Sequence, residues 1–74
     1  MKEITFDRHA RRRMKLRRIS EEDVRVVLAS PEKIEQTVHG RTNAYLHTMG
    51  RYLKVTYKET DDDILIISVV DKYD

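Results

Sequence analysis

Residues 41–59, RTNAYLHTMGRYLKVTYKE, hold two stretches of alternating polar and apolar residues on either side of a short turn. In the second stretch, Leu53, Val55 and Tyr57 alternate with polar residues. A period of two is typical of a strand with one buried face. Gly50 marks a tight turn between the stretches. We therefore predict a β-hairpin with one apolar face and one polar face.

Further strands are indicated on both sides of this hairpin. KIEQTV at 33–38 is a short candidate strand, and TDDD at 60–63 reads as a turn. In the run ILIISVV at 64–70, every residue except Ser68 is apolar, and polar and apolar residues do not alternate. Such a run suggests a central strand that is covered on both faces.

The first half of the chain has helix signals. Asp7 can cap a helix that runs to about Arg17, and Ser20 with Asp23 three residues later forms a capping box for a second helix. Pro31 marks the end of that second helix. The predicted fold class is α+β, with two N-terminal helices packed on one face of a three- to four-stranded antiparallel sheet.

Composition indicates one small domain with an uneven charge distribution. The chain has 74 residues and a net charge of +2. Residues 1–18 carry eight Lys or Arg against two acids, and the remainder is net acidic. A basic face suits a phosphate backbone or an acidic protein. So short a chain buries a limited core, so a homodimer or another partner is a reasonable expectation.

Cellular location and cofactors can be narrowed from the same data. There is no cysteine, no apolar N-terminal run and no apolar stretch long enough to span a membrane. We expect a cytoplasmic protein without a membrane association. Neither the acidic turn nor the histidine spacing is typical of a metal site, so we expect no metal and no other cofactor.

The basic N-terminal helix has two kinds of cation. At 100° per residue, Phe6, Ala10 and Met14 share a sector that should face the sheet. Four cations fall on the opposite side, where they are either a solvated face or a nucleic-acid-binding surface. These are Arg8, Arg11, Arg12 and Lys15.

Arg13 and Arg17 fall inside or beside the apolar sector, and His9 lies four residues before Arg13. We expect His9 and Arg13 to meet at the seam between helix and sheet. Their role there is either structural, with Arg13 paired to a buried carboxylate, or functional.

Residues 6–32, FDRHARRRMKLRRISEEDVRVVLASPE, resemble a family of small prokaryotic proteins with a His-Ala-x-x-Arg-Met run, then Arg-x-Ile-Ser-x-x-Asp-Val and Asn/Ser-Pro-Glu. The matching positions are His9, Ala10, Arg13, Met14, Arg17, Ile19, Ser20, Asp23, Val24, Ser30, Pro31 and Glu32. Gly40, Arg41 and the ISVVDK segment at 67–72 also fit. The family often has Gly where this chain has Arg18; if that turn needs a positive φ, Arg18 is strained.

That family is similar to the RelE/ParE toxin superfamily and more closely to BrnT. The resemblance implies a single RelE/BrnT-like domain over 1–74. It also implies a metal-independent endoribonuclease that acts as the toxin of a type II toxin–antitoxin pair, with RNA and a small antitoxin as partners.

Cleavage of RNA without metal needs a base, a cation for the crowded phosphate and an acid. His9 suits the base or acid role, and Arg13 and Arg41 can each grip a phosphate. On the polar sheet face, Lys54 can act with them, and Tyr45 and Tyr52 can stack on bases. Arg17 joins the nucleic-acid-binding set. These strand residues can equally be ordinary surface residues, and His47 reads as an incidental surface histidine.

Three hypotheses remain open from the sequence. The first is a ribonuclease toxin. The second is a non-catalytic nucleic-acid-binding or regulatory module of the same fold. The third is a self-associating structural protein, because the last strand is apolar apart from Ser68 and the chain is small.

Overall fold

A computed structural model describes residues 2–37 and 39–73. The elements run β1 (Glu3–Phe6), α1 (Arg8–Arg17), α2 (Glu21–Ala29), β2 (Lys33–Gln36), β3 (Thr42–Thr48), β4 (Arg51–Glu59) and β5 (Asp63–Asp71). One sheet contains all five strands in the order β1-β5-β4-β3-β2. The first strand is parallel to β5, and the other neighbours are antiparallel.

The predicted three- to four-stranded antiparallel sheet of a RelE-like fold is therefore wrong, because the sheet is five-stranded and mixed. The missed strand is β1. It has only four residues, and its register with β5 pairs Phe6 with Ile66, sixty positions along the chain. Because β1 is short and pairs only with a strand far along the chain, its own sequence has little of the alternation that predicts a strand. The predicted strand at 33–38 is confirmed as β2, although Val38 lies outside the described residues.

Local chemistry defines the helix ends. The Asp7 side chain accepts a hydrogen bond from the backbone N–H of His9 at 2.8 Å, which confirms the predicted cap of α1. Ser20 and Asp23 form the predicted reciprocal capping box at the start of α2. Such a box satisfies two of the backbone donors that a helix N-terminus leaves unpaired.

The turn between the helices has the left-handed conformation that the sequence comparison anticipated. Arg18 has φ 57° and ψ 41°. The N–H of Ile19 donates to the carbonyl of Met14 at 2.9 Å, and the N–H of Arg18 donates to Lys15 at 3.4 Å. This is the Schellman arrangement, and both Met14 and Ile19 belong to the buried core. Arg18 thus occupies a position where glycine is favoured.

The hairpin of β3 and β4 is confirmed. Thr48 pairs with Arg51, so Met49 and Gly50 are the only residues of the turn. Both have positive φ, at 51° and 80°. Two-residue hairpin turns of this hand match the right-handed twist of the strands.

A single core lies between the helices and one face of the sheet. Its buried members are Ala10, Met14, Ile19, Val24, Val27, Ala44, Leu53, Val55, Ile66 and Val69. The register of β4 with β5 shifts between Thr56 and Tyr57. Because of this irregularity, Ile66 and Val69 are both fully buried although they are three residues apart. The other face of β5 carries half-buried side chains, so the apolar run does not indicate helices on both faces.

Candidate functional site

Helix α1 presents a surface of five exposed cations. We call it the basic surface: Arg8, Arg11, Arg12, Arg13 and Lys15. The helix contains no acidic residue. Arg11 pairs with Glu21 at 3.0 Å and lies 5.1 Å from the Phe6 ring centroid. Within 2–37 and 39–73, the other four side chains make no ion pair or hydrogen bond.

This surface costs the fold some stability. Like charges four residues apart on a helix, as at Arg8 and Arg12, repel each other by a few tenths of a kcal/mol. A cation in the first turn, such as Arg8, also opposes the helix dipole, whereas Lys15 in the last turn is favourable to it. The charges of Arg8 and Arg12 are therefore not explained by helix stability, and they are available to a polyanion.

The structure does not place His9 and Arg13 at the seam between helix and sheet. Both are exposed, and Arg13 has no described carboxylate partner. Only Ala10 and Met14 of α1 are buried. The part of the helix that packs on the sheet is therefore narrower than the sector predicted from 100° per residue. Arg17 is half-buried.

The sheet face opposite the helices carries the densest group of polar aromatic residues. Strand alternation places His47, Tyr45, Tyr52 and Lys54 there, with His47 opposite Tyr52 and Tyr45 opposite Lys54. The His47 and Tyr52 rings stack with centroids 4.0 Å apart and planes 13° apart. Tyr73, from the turn after β5, lies 5.7 Å from His47 and 5.9 Å from Tyr52. We call these four aromatic residues and Lys54 the tyrosine face.

His47 is held at both ring nitrogens. Nδ1 lies 3.0 Å from Glu32 Oε1, and Nε2 lies 2.8 Å from the Tyr73 hydroxyl. Glu32 accepts hydrogen bonds from the backbone N–H and from the ring of His47. These bonds lower the pKa of the Glu32 carboxyl group, and the backbone bond has the largest effect. An ionised carboxylate only accepts, so it places the proton of a neutral ring on Nδ1 and the lone pair on Nε2.

A second hydrogen-bond network fixes the neighbouring part of this face. Glu35 accepts from the Tyr45 hydroxyl at 2.9 Å and from Asn43 Nδ2 at 3.2 Å, and these bonds lower the pKa of Glu35. Burial, and then the bond to Glu35, raises the pKa of Tyr45. Thr56 donates to Asn43 at 2.7 Å. Tyr45 is buried, and Lys33 Nζ lies 5.0 Å from its ring centroid. Tyr45 therefore offers less open ring surface than the half-buried Tyr52 or the exposed Tyr73.

The four catalytic candidates from the sequence are not brought together. His9 and Arg13 lie on α1, whereas Lys54 lies on the face of the sheet that α1 does not cover. Arg41 is exposed in the connection between β2 and β3, where its carbonyl accepts the N–H of Thr37 at 2.9 Å. Lys54 shares its face with His47 instead.

Sequence reasoning missed Glu32, His47 and Tyr73 as a group. The alternation of β3 did place His47 on the side of Tyr45, which was the available signal. Nothing local connects Glu32 to His47, fifteen residues away, or His47 to Tyr73, twenty-six residues away.

Two further properties concern ions and membranes. Among the residues that the structure describes, no group of three or more His, Cys, Asp or Glu side chains is placed to hold a metal ion. In the same part of the chain, no helix combines the length and apolar character needed to cross a bilayer.

Comparison with known proteins identifies the family. No curated protein matches the chain, and no solved structure matches it. A family model described as a domain of unknown function (DUF4258) matches residues 6–71, which is most of the chain. The protein is therefore a member of the DUF4258 family.

Proposed function

We propose that this protein binds RNA and cleaves it as a metal-independent endoribonuclease, acting as the toxin of a toxin–antitoxin pair. The observation that carries the proposal is the tyrosine face, where an oriented histidine lies among tyrosines and beside Lys54. The likeness to BrnT and the RelE/ParE toxins motivates the toxin role and the small antitoxin partner.

The tyrosine face suits single-stranded RNA. Splayed bases stack on aromatic rings, and each such stack is worth roughly 1–3 kcal/mol. The stacked pair of His47 and Tyr52 presents two nearly parallel rings on this face. The exposed cations of α1 add a sequence-independent attraction to phosphates.

The chemical requirements for cleavage also find candidates on this face. A neutral imidazole with its lone pair on Nε2 can take a proton from a hydroxyl. Lys54 lies on the same face, one cross-strand pair away from the pair of His47 and Tyr52. An ammonium group there can stabilise the additional negative charge on a phosphate in the transition state.

The test is incubation of the purified protein with single-stranded RNA in EDTA, together with induction in bacterial cells. We expect RNA fragments and growth arrest, and we expect co-expression of the cognate antitoxin to relieve the arrest. A wild-type protein that leaves RNA intact and cells growing contradicts the proposal.

A second candidate function is a non-catalytic nucleic-acid-binding module. It is favoured by the separation of His9 and Arg13 from Lys54 by the sheet. RNA binding that weakens steeply with salt and leaves the RNA intact would support this function. A failure to bind at low salt would contradict both candidates.

A further inference from the structure

We propose that His47 is the general base of this chain, that Glu32 positions it, and that the 2′-hydroxyl of the RNA replaces the Tyr73 hydroxyl at Nε2. This inference rests on the proposed function, and it gives that function a catalytic centre on the tyrosine face rather than on α1.

The first step of the argument concerns the orientation of the ring. Glu32 contacts His47 through both the backbone N–H and Nδ1, so the carboxylate fixes the ring relative to its own strand. Stacking on Tyr52 fixes the ring plane. A base that a third group orients in this way is a recurrent feature of acid–base sites.

The second step concerns the far side of the ring. Nε2 is already within hydrogen-bond distance of a hydroxyl, the Tyr73 Oη at 2.8 Å. Tyr73 is 65% exposed and lies in the turn that follows β5, so displacing it does not open the core. The position of its oxygen indicates where a ribose hydroxyl can bind, and its tilted ring occupies space beside His47 and Tyr52 that a base can take.

The third step is the reaction itself. Nε2 of His47 takes the 2′-hydroxyl proton, the 2′-oxygen forms a bond to phosphorus, and the bond between phosphorus and the 5′-oxygen breaks. The products are a 2′,3′-cyclic phosphate and a 5′-hydroxyl end. The 5′-oxygen takes a proton from water and the imidazolium releases one to solvent, so protons balance and no co-reactant is consumed.

Glu32 acts through His47, so it is a positioning residue with its own signature. Its lowered pKa keeps the carboxylate ionised through the neutral and mildly acidic range. In Glu32→Gln the neutral amide can donate as well as accept, so it no longer fixes the position of the ring proton, although the side chain keeps its size. We therefore expect kcat to fall about tenfold while KM stays unchanged, a split that a general loss of structure would not give.

The experiment compares the wild type, Glu32→Gln and three further variants on a single-stranded RNA in EDTA. His47→Gln should lower kcat by about 100-fold or more, the usual range for a general base. Its Kd for a 2′-deoxy analogue should stay within about threefold. Tyr73→Phe keeps the ring but removes the competing hydroxyl, so KM should fall several-fold with kcat little changed. His39→Gln, another exposed histidine, should match the wild type.

The outcomes separate the two levels of the proposal. Cleavage by the wild type that His47→Gln does not slow overturns the catalytic assignment and leaves the proposed function intact. Absence of cleavage by the wild type overturns both. A higher KM in Tyr73→Phe would show that Tyr73 binds the substrate rather than holding its place. His47 is exposed, and circular dichroism of each variant verifies that the fold is retained.

Discussion

The basic surface and the tyrosine face lie on opposite sides of the sheet, and they are built in opposite ways. On α1, four of five exposed cations have no partner among the described residues. On the tyrosine face, His47, Tyr45 and Tyr73 all have hydrogen-bond partners, and Glu32 and Glu35 hold two of them in place. The unpaired cations of α1 can attract a polyanion but do not fix its orientation. The hydrogen-bonded side chains of the tyrosine face are held in fixed positions but carry little net charge.

The largest effect that can sharpen this comparison is expected at Tyr52. Tyr52→Ala removes the ring that stacks on His47, so single-stranded RNA should bind more weakly by about 1–3 kcal/mol. Because no charge changes, the slope of log Kd against log salt should stay the same. Fluorescence titration at several salt concentrations measures both quantities. Tyr52→Phe should retain most of the affinity, and a loss equal to that of Tyr52→Ala would contradict a stacking role.

A smaller effect with a different signature is expected on α1. The combined change of Arg8, Arg12 and Lys15 to Ala removes three cations of one stripe. The slope of log Kd against log salt for single-stranded RNA should fall by about 2, because each of the three lost phosphate contacts contributes roughly 0.7. The matched control is the combined change of Arg25, Lys58 and Lys72 to Ala, which alters net charge equally. Equal slopes in the two triple variants would argue that only total charge matters.

The double change of Arg8 and Arg12 to Ala should unfold at a higher temperature than the wild type, because it removes a like-charge pair and a cation from the first turn of α1. Weaker binding with higher stability would identify the cations as retained for a ligand. A lower melting temperature would contradict this interpretation.

Arg18 offers a test that changes stability without touching either surface. Its φ of 57° is costly for a residue with a Cβ, by about 1 kcal/mol. Arg18→Gly should therefore raise the free energy of unfolding by up to about 1 kcal/mol, reduced by the greater freedom of glycine in the unfolded chain. Chemical denaturation measures the change. Arg18→Ala keeps the strain while removing the charge, so it should give no such gain.

The smallest effect is a dependence of stability on pH. Folding lowers the pKa of Glu32 and Glu35 from 4.5 through their hydrogen bonds. A lowered carboxyl pKa stabilises the fold at pH values above 4.5 and loses that contribution as pH falls through the lowered value. Thermal melts of the wild type and of Glu35→Gln should differ most at neutral pH and converge in acid. A constant difference across pH would contradict this origin.

The features that the sequence predicted correctly are encoded by near neighbours. The capping box needs only Ser20 and Asp23, and the hairpin needs only the alternation on each side of Gly50. Both are complete within a few residues, so local sterics and hydrogen bonding determine them. The strain at Arg18 was expected on the condition that the turn has a positive φ, because the family that the chain resembles often has Gly there, and the φ of 57° meets that condition.

The features that were missed depend on distant contacts. Strand β1 exists because β5 supplies a parallel neighbour. The bond between Glu32 and His47 depends on the register of β2 with β3, and Tyr73 reaches His47 only after β5 is in place. One predicted contact is absent among the described residues. The angular spacing of residues placed Arg13 at the boundary between α1 and the sheet, yet Arg13 is exposed although it lies directly before the buried Met14. Periodicity gives the direction of a side chain but not how far the neighbouring layer extends.

Arg51 connects the two sides of the molecule. Its guanidinium donates to the carbonyl of Arg18 at 3.1 Å and lies 3.8 Å from Asp23, so it ties the interhelix turn to the start of β4. The next residue, Tyr52, points to the other face and stacks on His47. A ligand that shifts the turn must therefore disturb the strand that carries the stack. Coupling between two binding affinities is reciprocal. If a ligand on α1 changes the affinity of the tyrosine face for RNA, RNA on the tyrosine face changes the affinity of α1 for that ligand by the same factor.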